Sequence, residues 1–130
     1  MLKQTFITVF LIVGLLSLVS CDSDDNTTVN PYAQFQGNWS GTFSGDDEGI
    51  WRVTIDENGV ATGVLESNTA FAPFDLEGQV SANGEVSAEY YDAGGSQVGT
   101  MTGIMIETNA TGTWSSPSWE MEGTWSGSKE

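Results

Sequence analysis

The chain has 130 residues with 18 Asp and Glu, three Lys and Arg and no histidine, a net charge of −15 at pH 7. So acidic a surface repels phosphate backbones and anionic lipid, which excludes nucleic-acid binding. Without histidine the commonest general base and the commonest transition-metal ligand are both missing, and no catalytic or cofactor motif stands out, so the expectation is a non-enzymatic protein without a cofactor.

In chain order, Lys3 precedes an apolar run over residues 6–18, and the small residue Ser20 follows. These are the parts of a secretory signal, and the run is too short and too closely followed by acids to make a good spanning helix. The next motif, Leu18-Val19-Ser20-Cys21, resembles the lipobox of bacterial lipoproteins. The resemblance implies a signal peptide over residues 1–20, cleavage before Cys21, and lipid on that cysteine: a diacylglyceryl thioether together with an amide-linked acyl chain such as palmitate. At roughly 0.8 kcal/mol per buried methylene, one chain binds a membrane reversibly and two or more anchor stably. Cys21 is the only cysteine, so no intramolecular disulfide can form and an exported domain must hold itself by packing.

Residues 21–36 are polar and acidic at first, with Asp22, Asp24, Asp25 and Pro31, and read as a disordered tether. An acidic run after a lipidated cysteine looks like the signal that, in some lineages, sends lipoproteins to the outer face of the outer membrane. In others, an aspartate directly after the cysteine retains them at the inner membrane. The implied location is the cell envelope, with the outer membrane and the cell surface favoured.

The folded domain is expected over residues 37–128. No stretch there sustains a 3.6-residue apolar period, whereas two-residue alternation recurs between Gly, Asn and Asp, the pattern of an all-β domain. Strands are predicted at about 37–44, 49–56, 60–66, 73–80, 85–91, 97–106, 110–115 and 118–127. In the second, Trp51, Val53 and Ile55 oppose Arg52 and Thr54; in the eighth, Trp119, Met121, Gly123 and Trp125 oppose Glu120, Glu122, Thr124 and Ser126. One face is buried and one is wet. Tight turns are expected at Gly59, Gly84 and Thr108-Asn109, residues that tolerate positive φ. Short connections make each strand pair antiparallel with the next, and closure removes the two exposed edges. The fold class is therefore an eight-stranded antiparallel up-and-down meander closed into a small barrel, with a β-sandwich or an open sheet as the alternative.

Gly37-Asn38-Trp39-Ser40-Gly41 opens the domain and Gly123-Thr124-Trp125-Ser126-Gly127 ends it, so closure would make neighbours of two strands with the same Gly-x-Trp-x-Gly chemistry. Each indole would then cover a glycine backbone. With Gly-x-Trp in its first strand, the meander resembles the calycin group, the lipocalins and avidins. Lipocalins set an arginine late in the barrel over that tryptophan, and the last strand here has none. Avidins hold biotin with an asparagine two positions after it, and Gly41 stands there instead. Neither ligand carries over.

The meander puts the longer loops, around residues 45–49, 67–73, 92–96 and 115–118, at the end away from the tether, where a partner would be met. Trp51, Tyr91, Trp114, Trp119 and Phe71 gather there as a candidate aromatic mouth for a glycan, an apolar small molecule or a protein side chain. In the alternative, the indoles fill the interior of a narrow barrel. Asp46, Asp47, Glu48 and Asp92 at the same end offer oxygens of the kind calcium takes, without the spacing of a calcium loop, so no metal site is assigned. Glu120 and Glu122, two apart, have the separation of paired glycosidase carboxylates but no cleft. Three functions are weighed. The first is a lipid-displayed binding module for a glycan, an apolar ligand or a cationic protein. The second is an inhibitor or accessory subunit of an envelope enzyme, and the third a carboxylate-dependent hydrolase.

Overall fold

The computed structural model describes residues 29–130, so the signal run and Cys21 lie outside the described residues. Eight strands follow one another: β1 (Gly37–Gly45), β2 (Gly49–Ile55), β3 (Val60–Ser67), β4 (Phe74–Val80), β5 (Glu85–Tyr91), β6 (Gln97–Ile106), β7 (Asn109–Ser116) and β8 (Met121–Lys129). Each pairs antiparallel with the next, and β8 returns to pair with β1, closing the barrel. Among the described residues no helix is long and apolar enough to cross a membrane.

Alternation dictates which side chains go in. Along β2, Trp51, Val53 and Ile55 are buried while Arg52 and Thr54 are exposed. The same parity buries Leu76 and Val80 on β4 and Met101 and Met105 on β6. Gly59 (φ 80°) and Gly84 (φ 90°) make the tight turns that their freedom at positive φ suits. The third turn departs from expectation. Asn109 is already paired in β7, opposite Ile106, and Glu107 takes the left-handed backbone (φ 57°).

Eight strands leave room only for side chains, and this barrel makes that room by setting aromatic rings against glycines. A Cβ on Gly103 or Gly112 would come within 2.6 Å and 2.7 Å of the Trp125 ring, and one on Gly127 within 2.5 Å of Trp51. Trp125 thus covers glycines of β6 and β7, and Trp51 and Trp114 cover glycines of the last strand. The cavity left among Trp51, Leu76, Met101, Met105 and Trp125 is about 30 Å³, with an apolar wall. The interior is filled.

The ordered domain begins earlier than Gly37. Asn30–Gln36, expected as tether, closes one end of the barrel. Ala33–Phe35 form a 3-10 turn, Phe35 is buried, and its carbonyl accepts the Trp39 Nε1–H at 2.8 Å. Asn30 donates from Nδ2 to the Glu57 carbonyl at 3.0 Å. The reason is local: Tyr32 and Phe35, three apart, give this polar segment one apolar face, and it packs beneath Gly59 and Gly84. Lys129, the register partner of Trp39, reaches the Gln34 carbonyl with Nζ at 3.3 Å, so the chain end is tied into the same closure.

Candidate functional site

The loop end opposite this plug collects the four longer connections, and their geometry divides the predicted aromatic mouth. Trp51 and Trp114 are core residues, 3% and 4% exposed. Trp51 meets Trp125 edge to face at 5.4 Å and 86°, and Trp114 meets Phe43 at 5.7 Å while its Nε1–H donates to the Ser44 carbonyl at 3.0 Å. Tyr91 is half-buried on the outer wall, where it pairs in register with Asp75. Strand direction alone had placed all three at the mouth. Inward-facing positions on tilted strands converge on the axis, so the rings of Trp51 and Trp114 fill the narrow barrel, whereas Tyr91 faces outward.

Phe71 and Trp119 remain at the mouth. Phe71 is fully exposed at the tip of the β3–β4 loop, flanked by the exposed Ala70, Ala72 and Pro73. Trp119 is 51% exposed. It does not belong to the last strand, because Pro117 starts a 3-10 turn over Pro117–Trp119 and strand pairing resumes only at Met121. A proline cannot donate to the ladder, so the two-residue period stops there. One side of the indole leans on Phe74, the first residue of β4, with ring centroids 6.1 Å apart, which sets the β7–β8 connection against the start of β4.

The calcium candidates serve the loops themselves. Asp47 accepts hydrogen bonds from the hydroxyls of Ser67 (2.7 Å) and Thr69 (3.2 Å) and from the backbone N–H of Glu48 (2.8 Å). Asp46 accepts from the Glu122 N–H at 3.0 Å, and Asp92 closes its own turn by accepting from Gly94 and Ser96. Among the described residues no group of three or more Cys, Asp or Glu is placed to hold a metal ion. Glu120, in left-handed backbone (φ 54°), and Glu122, on the outer face of β8, are both exposed rather than set in a cleft.

Two further residues complete this end. Phe74 and Tyr90 are buried beneath the patch, with rings 5.8 Å apart. The signal was available, since Tyr90 shares parity with the inward Ala88. Burial pushes the Tyr90 phenol up to about 12; a hydrogen bond with Ser116 opposes the rise and the charge of Asp47 adds to it. A folded-state value above the unfolded one, about 10, means that the contribution of neutral Tyr90 to stability is complete below pH 10. It is lost as pH rises through about 12. Unfolding followed in urea across this window is expected to show stability falling, with a smaller fall in Tyr90→Phe. An equal fall in the variant would mean that the phenol titrates freely.

The site thus belongs to a closed eight-stranded meander barrel with a filled interior and an aromatic rim. Compared with protein-family models, with curated proteins and with solved structures, the chain matches none.

Proposed function

We propose that this chain is a lipid-anchored, non-enzymatic binding module of the bacterial cell envelope that meets its partner with the loop end of the barrel. The observation that carries the reading is where the free aromatic surface lies. The interior offers only about 30 Å³, against the several hundred that ligand pockets require, so recognition falls to the outside. There, Phe71 on the β3–β4 loop and Trp119 on the β7–β8 connection are both exposed, at the end opposite the segment that leads back to Cys21. An exposed aromatic set beside further apolar side chains, as Trp119 is against Phe74, marks an interaction site. The lipobox supports anchoring through Cys21, and the acidic run after it supports the outer membrane, with the loop end facing away from it. The same end would serve an inhibitor or accessory subunit of an envelope enzyme, which also needs an outward protein-binding face.

The calycin-like assignment is part of this proposal. Its support is the closed eight-strand meander together with the Gly37-Asn38-Trp39 of its first strand.

A photo-crosslinking residue at Phe71 is expected to give a discrete adduct in intact envelopes, whereas one at Asn83, exposed at the plugged end, gives none. In the same cells Cys21→Ser is expected to abolish labelled palmitate incorporation and release the protein from membranes. Adducts at Asn83 as strong as at Phe71 would refute the loop-end reading, and unchanged membrane retention of Cys21→Ser would refute the anchor.

A further inference from the structure

The aromatic patch sits in an unbalanced electrostatic setting. Asp46, Glu120 and Glu122 line a shallow depression with Pro117 and Met121, next along the chain to Trp119. Asp46 and Glu122 are locked together, since each accepts the other's backbone N–H, on Oδ2 at 3.0 Å and on the carbonyl at 3.1 Å. Among the described residues there is a single ion pair, Arg52 with Glu66 at 2.8 Å, on the outer wall. Lys129, the other cation of the barrel, lies at the plugged end. The carboxylates of this depression therefore have no cationic partner among the described residues.

Resting on the loop-end reading above, we propose that the surface at Trp119 docks an arginine-bearing segment of a partner protein. The free indole face takes the guanidinium plane, and the Asp46–Glu120–Glu122 rim takes its N–H groups. The chemistry selects this occupant in two ways. An aromatic face attracts a cation through the ring quadrupole, and a planar guanidinium stacks there while still offering its donor fork to carboxylates. An anionic partner or lipid headgroup would meet uncompensated negative charge at every approach to the patch. An uncharged glycan would gain the stacking and hydrogen-bond the rim through its hydroxyls, but would leave the rim's negative charge uncompensated.

Hexa-arginine, hexa-lysine, hexa-glutamate and a neutral oligosaccharide, titrated into the full chain in detergent and followed by calorimetry, test this. Hexa-arginine is expected to bind more tightly than hexa-lysine, and hexa-glutamate not at all. Trp119→Ala should weaken hexa-arginine binding roughly five- to tenfold, the worth of one well-placed cation–π contact. Glu120→Gln with Glu122→Gln should weaken it several-fold and flatten its salt dependence. Glu77→Gln with Glu85→Gln, equal in charge but on the wall and at the plugged end, should change it less than about twofold, because distant exposed charges are screened. Wild-type affinity in Trp119→Ala, or an equal loss in both glutamate pairs, would mean that cations bind diffusely to an acidic surface, and would overturn the inference. If the oligosaccharide binds in a Trp119-dependent way and hexa-arginine does not, the occupant is wrong while the loop-end reading stands. If no probe responds to Trp119→Ala and Phe71 also gives no crosslink, both fall.

Discussion

Gly41→Val is expected to destroy the closed barrel, with a loss of more than about 4 kcal/mol, the range reserved for changes that no local shift can absorb. Gly41 faces Gly127 across the seam where β1 meets β8. A Cβ there would fall within the van der Waals shell of the Ser126 carbonyl oxygen and 2.5 Å from Gly127 Cα. Both obstacles are backbone, so relief requires the two strands to part. Parting them exposes two unpaired strand edges and wets Trp39 and Phe43 on β1 and Trp125 on β8, which are buried in the intact barrel. The expected readout is loss of a cooperative urea transition together with aggregation. Gly94→Ala is the control. Its Cβ would meet only the Asp92 carboxylate at 3.4 Å, an ordinary contact in an exposed loop, and its effect should stay within about 0.5 kcal/mol. Wild-type stability in Gly41→Val would show that β1 and β8 do not close on one another.

That seam was legible from the sequence because two independent signals agree on it. Period-two burial, as in Trp51-Arg52-Val53-Thr54-Ile55, fixes strands and faces, and the repeated Gly-x-Trp-x-Gly marks the first and last strands as alike. The site was less legible, and the reasons are particular. Alternation carried across Pro117 made Trp119 a strand residue, when the proline had already ended the period. Knowing which end of a strand a residue occupies says nothing of how far its ring reaches toward the axis, so the sequence leaves Trp51 and Trp114 open to the mouth and to the interior, and it is the interior that they fill. At Tyr90 and Tyr91 the register with β6 shifts, and neighbouring aromatics separate into an inward and an outward one. The plug was hidden by composition, because an acidic, polar stretch averages out the two aromatics that dock it. In each case a local rule was sound, and what it lacked was the radius of the barrel.

That radius also sets the cost of removing a single indole. Trp125→Ala is expected to cost about 4 kcal/mol, within the range for emptying a buried aromatic site. Its ring is 4% exposed, lies on Gly103 and Gly112, packs edge to face with Trp51 and borders the existing 30 Å³ cavity. The glycines beneath it have no side chains with which to collapse into the space, so the void would persist. A finer contrast separates packing from hydrogen bonding. Trp125 Nε1–H donates to the carbonyls of Thr102 and Thr113, both at 3.1 Å, whereas Trp51 Nε1 is buried without a partner among the described residues. Trp125→Phe removes ring volume and also leaves two carbonyls short of a donor. Trp51→Phe removes similar volume but relieves an orphaned donor whose burial costs about 1–3 kcal/mol. Trp51→Phe is therefore expected to be the milder change by at least about 1 kcal/mol in urea unfolding at neutral pH. Equal losses, or a larger loss for Trp51→Phe, would mean that ring volume alone holds this core and that the shared indole hydrogen bond contributes nothing to it.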